Sequence, residues 1–166
     1  MGEVLRVEDL HVHFPIRDGV IKAVNGVSFS LDQGSIMALV GESGAGKSVT
    51  ALAILGLVPF PGKVVQGKVL FNGHDMLSLD DAQLRKVRGK DISMIFQDAQ
   101  ASLNPVMTVG NQIQEMLLNH TGMSKKEARA LGEELLRQVG LPDPKRIMGS
   151  YPFQLSGGMC QRVMIA

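Results

Sequence analysis

The sequence predicts an α/β core over residues 1–97, followed by a helical region over 98–166. A short continuous apolar run, 36–40 (Ile-Met-Ala-Leu-Val), reads as a strand buried on both faces, and the mainly apolar run 92–96 (Ile-Ser-Met-Ile-Phe) is a second buried-strand candidate. A glycine-rich loop and then a helix directly follow the first run. After Asp98 the texture changes, and apolar residues recur at helical rather than strand spacing.

Taken in order, residues 4–14 alternate in part and read as a strand, closed by the turn Arg17-Asp18-Gly19. A second strand is expected over 21–31, with Val24, Val27, Phe29 and Leu31 apolar. The buried run 36–40 leads through glycines into a helix over about 47–57, which Pro59 and Pro61 stop. A strand over 68–72 ends in the turn Asn72-Gly73. Ser78 precedes a polar helix to about Arg88, and the second buried strand follows at 92–96. Thr108 caps a helix with Val109, Ile113, Met116 and Leu117 on one face. Ser124 and Glu127 form a capping box for a helix with Ala128, Leu131, Leu135 and Val139 inward, and Gly140 stops it. The last residues, 161–166, read as the middle of a helix.

Composition narrows the classes. Lys and Arg number 17 against 16 Asp and Glu, a balance that argues against a dedicated nucleic-acid binder. The one cysteine, Cys160, leaves no internal disulfide and no multi-cysteine metal cage. The N-terminus does not read as a signal peptide, and the longest apolar stretch, 51–61, holds two prolines and is too short to span a bilayer. Membrane association is therefore expected through a partner. Glycine is abundant, 19 of 166 residues, so the chemistry is sought where glycines cluster.

Gly41-Glu42-Ser43-Gly44-Ala45-Gly46-Lys47-Ser48 fits the phosphate-loop pattern G-x-x-x-x-G-K-[ST], between a strand and a helix as that loop requires. Phosphate oxygens need many donors, and backbone N–H groups supply them only where side chains stay clear. Gly41, Gly44 and Gly46 allow that approach. The helix N-terminus adds a positive field, Lys47 a point charge for the β- and γ-phosphates, and Ser48 a hydroxyl for Mg²⁺. The nucleotide-binding stretch runs on to Val49. A second cluster, Leu155-Ser156-Gly157-Gly158-Met159-Cys160-Gln161-Arg162, begins with a good N-cap. Its two glycines leave N–H groups open at a helix start.

In this order the phosphate loop, a strand ending in Gln97 and L-S-G-G-x-x-Q-R resemble the ATP-binding subunit of an ABC transporter, over the whole chain. The segments Phe96-Gln97-Asp98, 102–110 (Ser-Leu-Asn-Pro-Val-Met-Thr-Val-Gly) and Tyr151-Pro152 most resemble the subfamily of dipeptide, oligopeptide and nickel importers. The resemblance implies a P-loop NTPase core with an N-terminal antiparallel β subdomain and an α-helical subdomain carrying the signature motif. It implies ATP and Mg²⁺ as ligands. Phe14 takes the place of an adenine-stacking aromatic. Gln97 matches the glutamine that reaches toward Mg²⁺ and the attacking water, so Lys47 and Gln97 are the expected catalytic residues and Ser48 and Gln97 the metal contacts. Ser156, Gly157 and Gly158 match the motif that caps the γ-phosphate held by a second, head-to-tail subunit. The implied partners are that subunit, integral-membrane permease subunits and, indirectly, a solute-binding protein, with no nucleic acid. The implied location is peripheral, on the cytoplasmic face of the cell membrane.

The departures are small. Ala99 stands where these importers often carry proline, Phe153 where they often carry histidine, and Cys160 at a variable position. The family pattern continues, past a point matching Ala166, to a strand ending Asp-Glu, a D-loop and a switch histidine. A chain ending at 166 is therefore expected to bind nucleotide weakly, to hydrolyse it negligibly and to expose a sheet edge, whereas the full subunit is an ATPase. A soluble ABC-type ATPase of DNA repair or translation is the alternative. The first kind carries long insertions between the two glycine motifs, whereas Ser156 here lies 109 residues after Lys47. Outside the motifs, His11 and His13 share a strand face without an evident third metal ligand. Arg85, Lys86, Arg88 and Lys90 read as a solvated basic helix face. Cys160, at a glycine-rich helix start, is a candidate for a lowered pKa.

Overall fold

The computed structural model describes residues 2–166, which separate into two compact units, one running to Ile92 and the other Ser93–Ala166. In the first, strands β1 (Glu3–Ile16), β2 (Gly19–Asp32), β3 (Lys63–Phe71) and the short β4 (His74–Asp75) form an antiparallel sheet of order β2-β1-β3-β4. Helices α1 (Lys47–Ile54) and α2 (Asp81–Val87) complete that unit, with a 3₁₀ turn at Met76–Ser78.

β1 alternates only in part because it changes parity midway. Leu5 and Val7 face the core, and so do Leu10 and Val12. Between them Asp9 adopts φ 44, and the register with both neighbours shifts, which is a β-bulge. Gly67 on β3 makes room for it: a Cβ there would lie 2.5 Å from the Asp9 carbonyl oxygen. The bulge keeps four apolar side chains on one face where strict alternation would turn two of them to solvent. They pack with Val24, Ala53, Val69, Met76 and Leu84.

Neither apolar run pairs as a strand. Among the described residues, no strand bonds to 36–40, and Ile36 and Val40 are exposed. The run 92–96 makes one parallel bridge, Arg88 to Ile92, and Ile95 is half exposed. Apolar content makes a segment able to be a buried strand, but pairing needs partners distant in sequence. Smaller corrections concern ends. α1 stops at Ile54, β3 starts at Lys63, and α2 is capped by Asp80 rather than opened after Ser78. Arg88 does not join a solvated face; it turns onto backbone carbonyls of the 55–56 segment.

The second unit is helical: α3 (Ala99–Ser102), α4 (Val109–His120), α5 (Lys125–Gln138), α6 (Pro144–Met148) and α7 (Gly157–Ile165), with a 3₁₀ turn at Pro152–Gln154. The caps stand where the sequence places them, at Thr108 and Ser124, and Gly140 follows the C-cap of α5 at φ 74. The inward stripe of α5 is centred one residue further on than periodicity predicts, on Ala128, Gly132 and Leu136. Gly132 explains the shift. Its bare Cα lets Ile113 and the Met148 side chain close in, at 3.1 Å from where a Cβ would sit.

The capping box at α5 yields a measurable prediction. Ser124 donates its N–H and its hydroxyl to Glu127 Oε2 at 2.8 and 2.7 Å, and Ser124 Oγ accepts from the Glu127 N–H. Hydrogen bonding by the Ser124 side chain and backbone holds the Glu127 carboxyl below its ordinary range. A depressed carboxylate pKa contributes stability above the unfolded-state value, and that stability fades as pH falls through the folded value. Ser124→Ala is expected to lower unfolding stability near neutral pH by about 1 kcal/mol. It should also flatten the acid limb of a urea-midpoint against pH profile.

Candidate functional site

The glycine loop has the local geometry its residue types call for. Gly44 and Gly46 lie at φ 82 and 84, left-handed values that side chains disfavour. Gly46 is the N-cap of α1 and has no side chain to cap it, so the first N–H groups of the helix have no side-chain acceptor from the cap position. The Gly46 carbonyl accepts from both the N–H and the hydroxyl of buried Thr50, which ties loop to helix. On the other side the Ala23 carbonyl of β2 lies so close that a Cβ on Gly46 would overlap it. The Lys47 ammonium reaches back along the loop to the Gly41 and Glu42 carbonyls, at 2.8 and 2.6 Å.

The loop walls a cavity of about 160 Å³, lined by Ala23, Gly44, Ala45, Gly46, Lys47, Ser48 and Val49. Open N–H groups, a cation and a hydroxyl at one small cavity fit an anion the size of a phosphate group. Ser48 is exposed at its rim. No group of three or more His, Cys, Asp or Glu able to hold a metal exists among the described residues. The Ser48 hydroxyl, in the cavity wall, is a donor that would suit a Mg²⁺ ion held mainly by phosphate and water. Glu42 and Ser43 are exposed. Sequence reasoning did not single out Ala23 or Thr50. Their contributions are a carbonyl and a hydroxyl brought to Gly46 by folding, and only the consensus loop itself carries a signal in the chain.

The remaining candidates are placed as follows. Phe14 pairs with Ile21 across β1 and β2, two residues before Ala23, and its half-buried ring lies directly over Gly62. Gln97 is exposed in a bend just before Asp98, the N-cap of α3, and belongs to the second unit. Ser156 caps α7, its Oγ accepting from the Met159 N–H at 3.3 Å, and Ser156, Gly157 and Gly158 are all exposed. Among the described residues, no atom outside the adjoining backbone of α7 and the neighbouring residues stands within 4 Å of a Cβ built on Gly157 or Gly158. Arg162 of the same helix donates to the Val139 and Gly140 carbonyls at 3.1 and 2.9 Å, fixing α7 against the end of α5.

Two other sequence candidates lose their chemistry. His11 Nε2 is engaged by Asp9 Oδ1 at 3.0 Å, and among the described residues the histidine pair belongs to no group of three or more His, Cys, Asp or Glu able to hold a metal. Cys160 is fully buried with its Sγ 3.5 Å from the Pro152 carbonyl oxygen, and burial pushes its thiol pKa up rather than down.

An antiparallel sheet, a glycine loop opening a helix and a helical unit with a capped glycine start define a phosphate-loop fold of the ATP-binding-cassette class. Two solved structures share it at a TM-score of 0.84 and 30% identity, each covering 97% of this chain and 67% of its own. One is a dimeric post-hydrolysis state of the ATP-binding cassette MJ0796 bound to ADP and Pi. The other is a dimer of MJ0796 described as a bacterial ABC transporter cassette. Residues 24–166 match the family described as ABC transporter, and the chain belongs to that family. Among curated relatives, the dipeptide transport ATP-binding protein DppD of Bacillus subtilis is 51% identical over all of this chain. The oligopeptide transport ATP-binding protein OppD of the same organism is 48% identical over 98% of it, and Escherichia coli DppD is 47% identical over 98%. The alignments take in 50%, 46% and 50% of those relatives, so the chain spans about half their length. Among the described residues, no helix is long and apolar enough to cross a membrane.

Proposed function

We propose that the complete subunit containing this chain binds and hydrolyses ATP to drive an ABC importer of dipeptides or oligopeptides, or of nickel. The observation that carries this reading is the loop: left-handed Gly44 and Gly46, uncapped helix N–H groups and the Lys47 ammonium converge on one cavity. On phosphate binding, the Lys47 ammonium exchanges its two carbonyl partners for β- and γ-phosphate oxygens, and the loop N–H groups donate to the chain of phosphates. The Ser48 hydroxyl holds Mg²⁺, which offsets phosphate charge when bound. For Gln97, as the residue reaching toward the metal and the attacking water, the support is its place in the sequence. For Phe14 the support is its position near the strand end beside the loop, where it offers a face for adenine.

Ser156, Gly157 and Gly158 are assigned to the γ-phosphate of ATP held by a second, head-to-tail subunit, a copy or a paralogue. The dimeric neighbours support pairing, and the dipeptide and oligopeptide relatives support permease partners and a peripheral place on the cytoplasmic face of the membrane. The test is titration calorimetry of MgATP into the complete subunit and its Lys47→Ala variant. Binding by the wild type with at least about a hundredfold loss in the variant supports the loop as the site. Equal affinities would refute it.

A further inference from the structure

The helix that the glycine loop opens is gripped at its far end by an arginine from another element. α1 runs only eight residues, and its last turn, Ala51-Leu52-Ala53-Ile54, carries no charge of its own. Its C-terminus closes as a Schellman turn: Gly56, at φ 63, donates its N–H to the Ala53 carbonyl at 3.0 Å, and Leu57 donates to Leu52 at 2.8 Å. The carbonyls of Leu55, the C-cap, and of Gly56 are taken by Arg88, which directly follows α2. Its Nε donates to Leu55 O at 2.7 Å and its Nη2 to Gly56 O at 2.9 Å. A Cβ on Gly56 would sit 2.9 Å from that Nη2, so the approach is close.

Charge makes the contact more than packing. A helix carries partial negative charge at its C-terminus and partial positive charge at its N-terminus. α1 opens on Lys47, a cation at the unfavourable end, and Arg88 supplies the cation that the other end lacks. The planar two-armed fork also fixes direction, which a single ammonium cannot do. Eight residues span about 12 Å, a stiff rod with Lys47 and Ser48 at one end and the arginine at the other.

We propose that Arg88 is a positioning residue for the nucleotide site: by holding the C-terminus of α1 it sets where Lys47 and Ser48 present their ammonium and hydroxyl. The proposal rests on the phosphate-loop reading of the preceding section. Its test uses the complete subunit with Arg88→Met, which keeps the stem and removes the fork, and Arg88→Lys, which keeps the charge alone. Ser124→Ala, at a cap in the other unit, serves as a control that lowers stability elsewhere. ATP affinity is measured by calorimetry with and without Mg²⁺, and amide exchange of Thr50, bonded to the Gly46 carbonyl, is followed without nucleotide.

Arg88→Met is expected to weaken MgATP binding about tenfold, to shrink the gain in affinity that Mg²⁺ brings and to speed Thr50 exchange. Arg88→Lys should fall between it and the wild type, and it carries the same test if Arg88→Met does not accumulate as folded protein. Ser124→Ala should change none of the three readouts. Arginine variants that lose stability yet keep the wild-type Mg²⁺ gain and Thr50 exchange would overturn the proposal, leaving Arg88 a structural tie. A wild type that binds no ATP, or a Lys47→Ala variant that binds like wild type, would overturn the nucleotide reading and the proposal with it.

Discussion

Gly46→Ala is expected to unmake the phosphate loop, whereas Gly44→Ala, two residues earlier, should cost only the dihedral penalty of a left-handed backbone. The two glycines share a conformation, φ 84 and 82, so the dihedral penalty is the same for both, about 1–2 kcal/mol. Their surroundings differ. Among the described residues, nothing lies within 4 Å of a Cβ on Gly44, whereas one on Gly46 would overlap the Ala23 carbonyl oxygen and touch Val24 Cγ2 at 3.5 Å. Backbone on a paired strand cannot give way as a side-chain tip can. Overpacking of this kind adds roughly 1–3 kcal/mol. The displaced Gly46 carbonyl would also leave buried Thr50 without its acceptor. Urea unfolding of the two variants should therefore separate them clearly, and calorimetry should find MgATP binding lost in Gly46→Ala. Equal destabilisation would show that β2 shifts to admit the methyl group.

At the second glycine cluster, Gly157→Ala and Gly158→Ala are expected to raise stability while lowering ATP turnover. Neither glycine has a positive φ, and neither is crowded by any described atom of the chain. Alanine in the first turn of α7 would gain roughly 0.5–1 kcal/mol over glycine at either position. Nothing among the described residues shows a need for bare backbone at this helix start. The proposed function supplies that need: a phosphate of a partner-bound nucleotide approaching the N–H groups behind the Ser156 cap. A methyl group there would hold the phosphate off. Turnover of the assembled transporter should drop by about a hundredfold, as for loss of a well-aimed backbone donor. If melting temperature and turnover rise together, the second glycine cluster touches no phosphate, and the shared-site reading falls.

Much of the site is legible in the chain because its information is local. The phosphate loop needs glycines, a lysine and a serine within eight consecutive residues, and the fold places their backbone at φ values the motif demands. The caps at Thr108, Ser124 and Ser156 are equally local, each a side-chain oxygen three residues from the N–H it accepts. The runs 36–40 and 92–96 show the limit of such reasoning. Their composition suits a buried strand, but a ladder exists only where another segment supplies it, and composition does not say whether one does. Arg88 shows it again: four basic residues in six positions look like one solvated face, yet one of the four is committed to carbonyls 32 and 33 residues away.

By itself, then, the sequence determined the phosphate loop, the capped glycine helix and the helical character of residues beyond Asp98, because each depends on bonds between near neighbours. Tertiary structure alone decided the Asp9 bulge that reverses the parity of β1, the burial that raises the Cys160 pKa, the Ala23 carbonyl that makes Gly46 irreplaceable and the arginine at the end of α1. Each of these is a contact between segments far apart in the chain. Whether two such segments meet is set by how whole elements pack, which no local pattern of residues encodes.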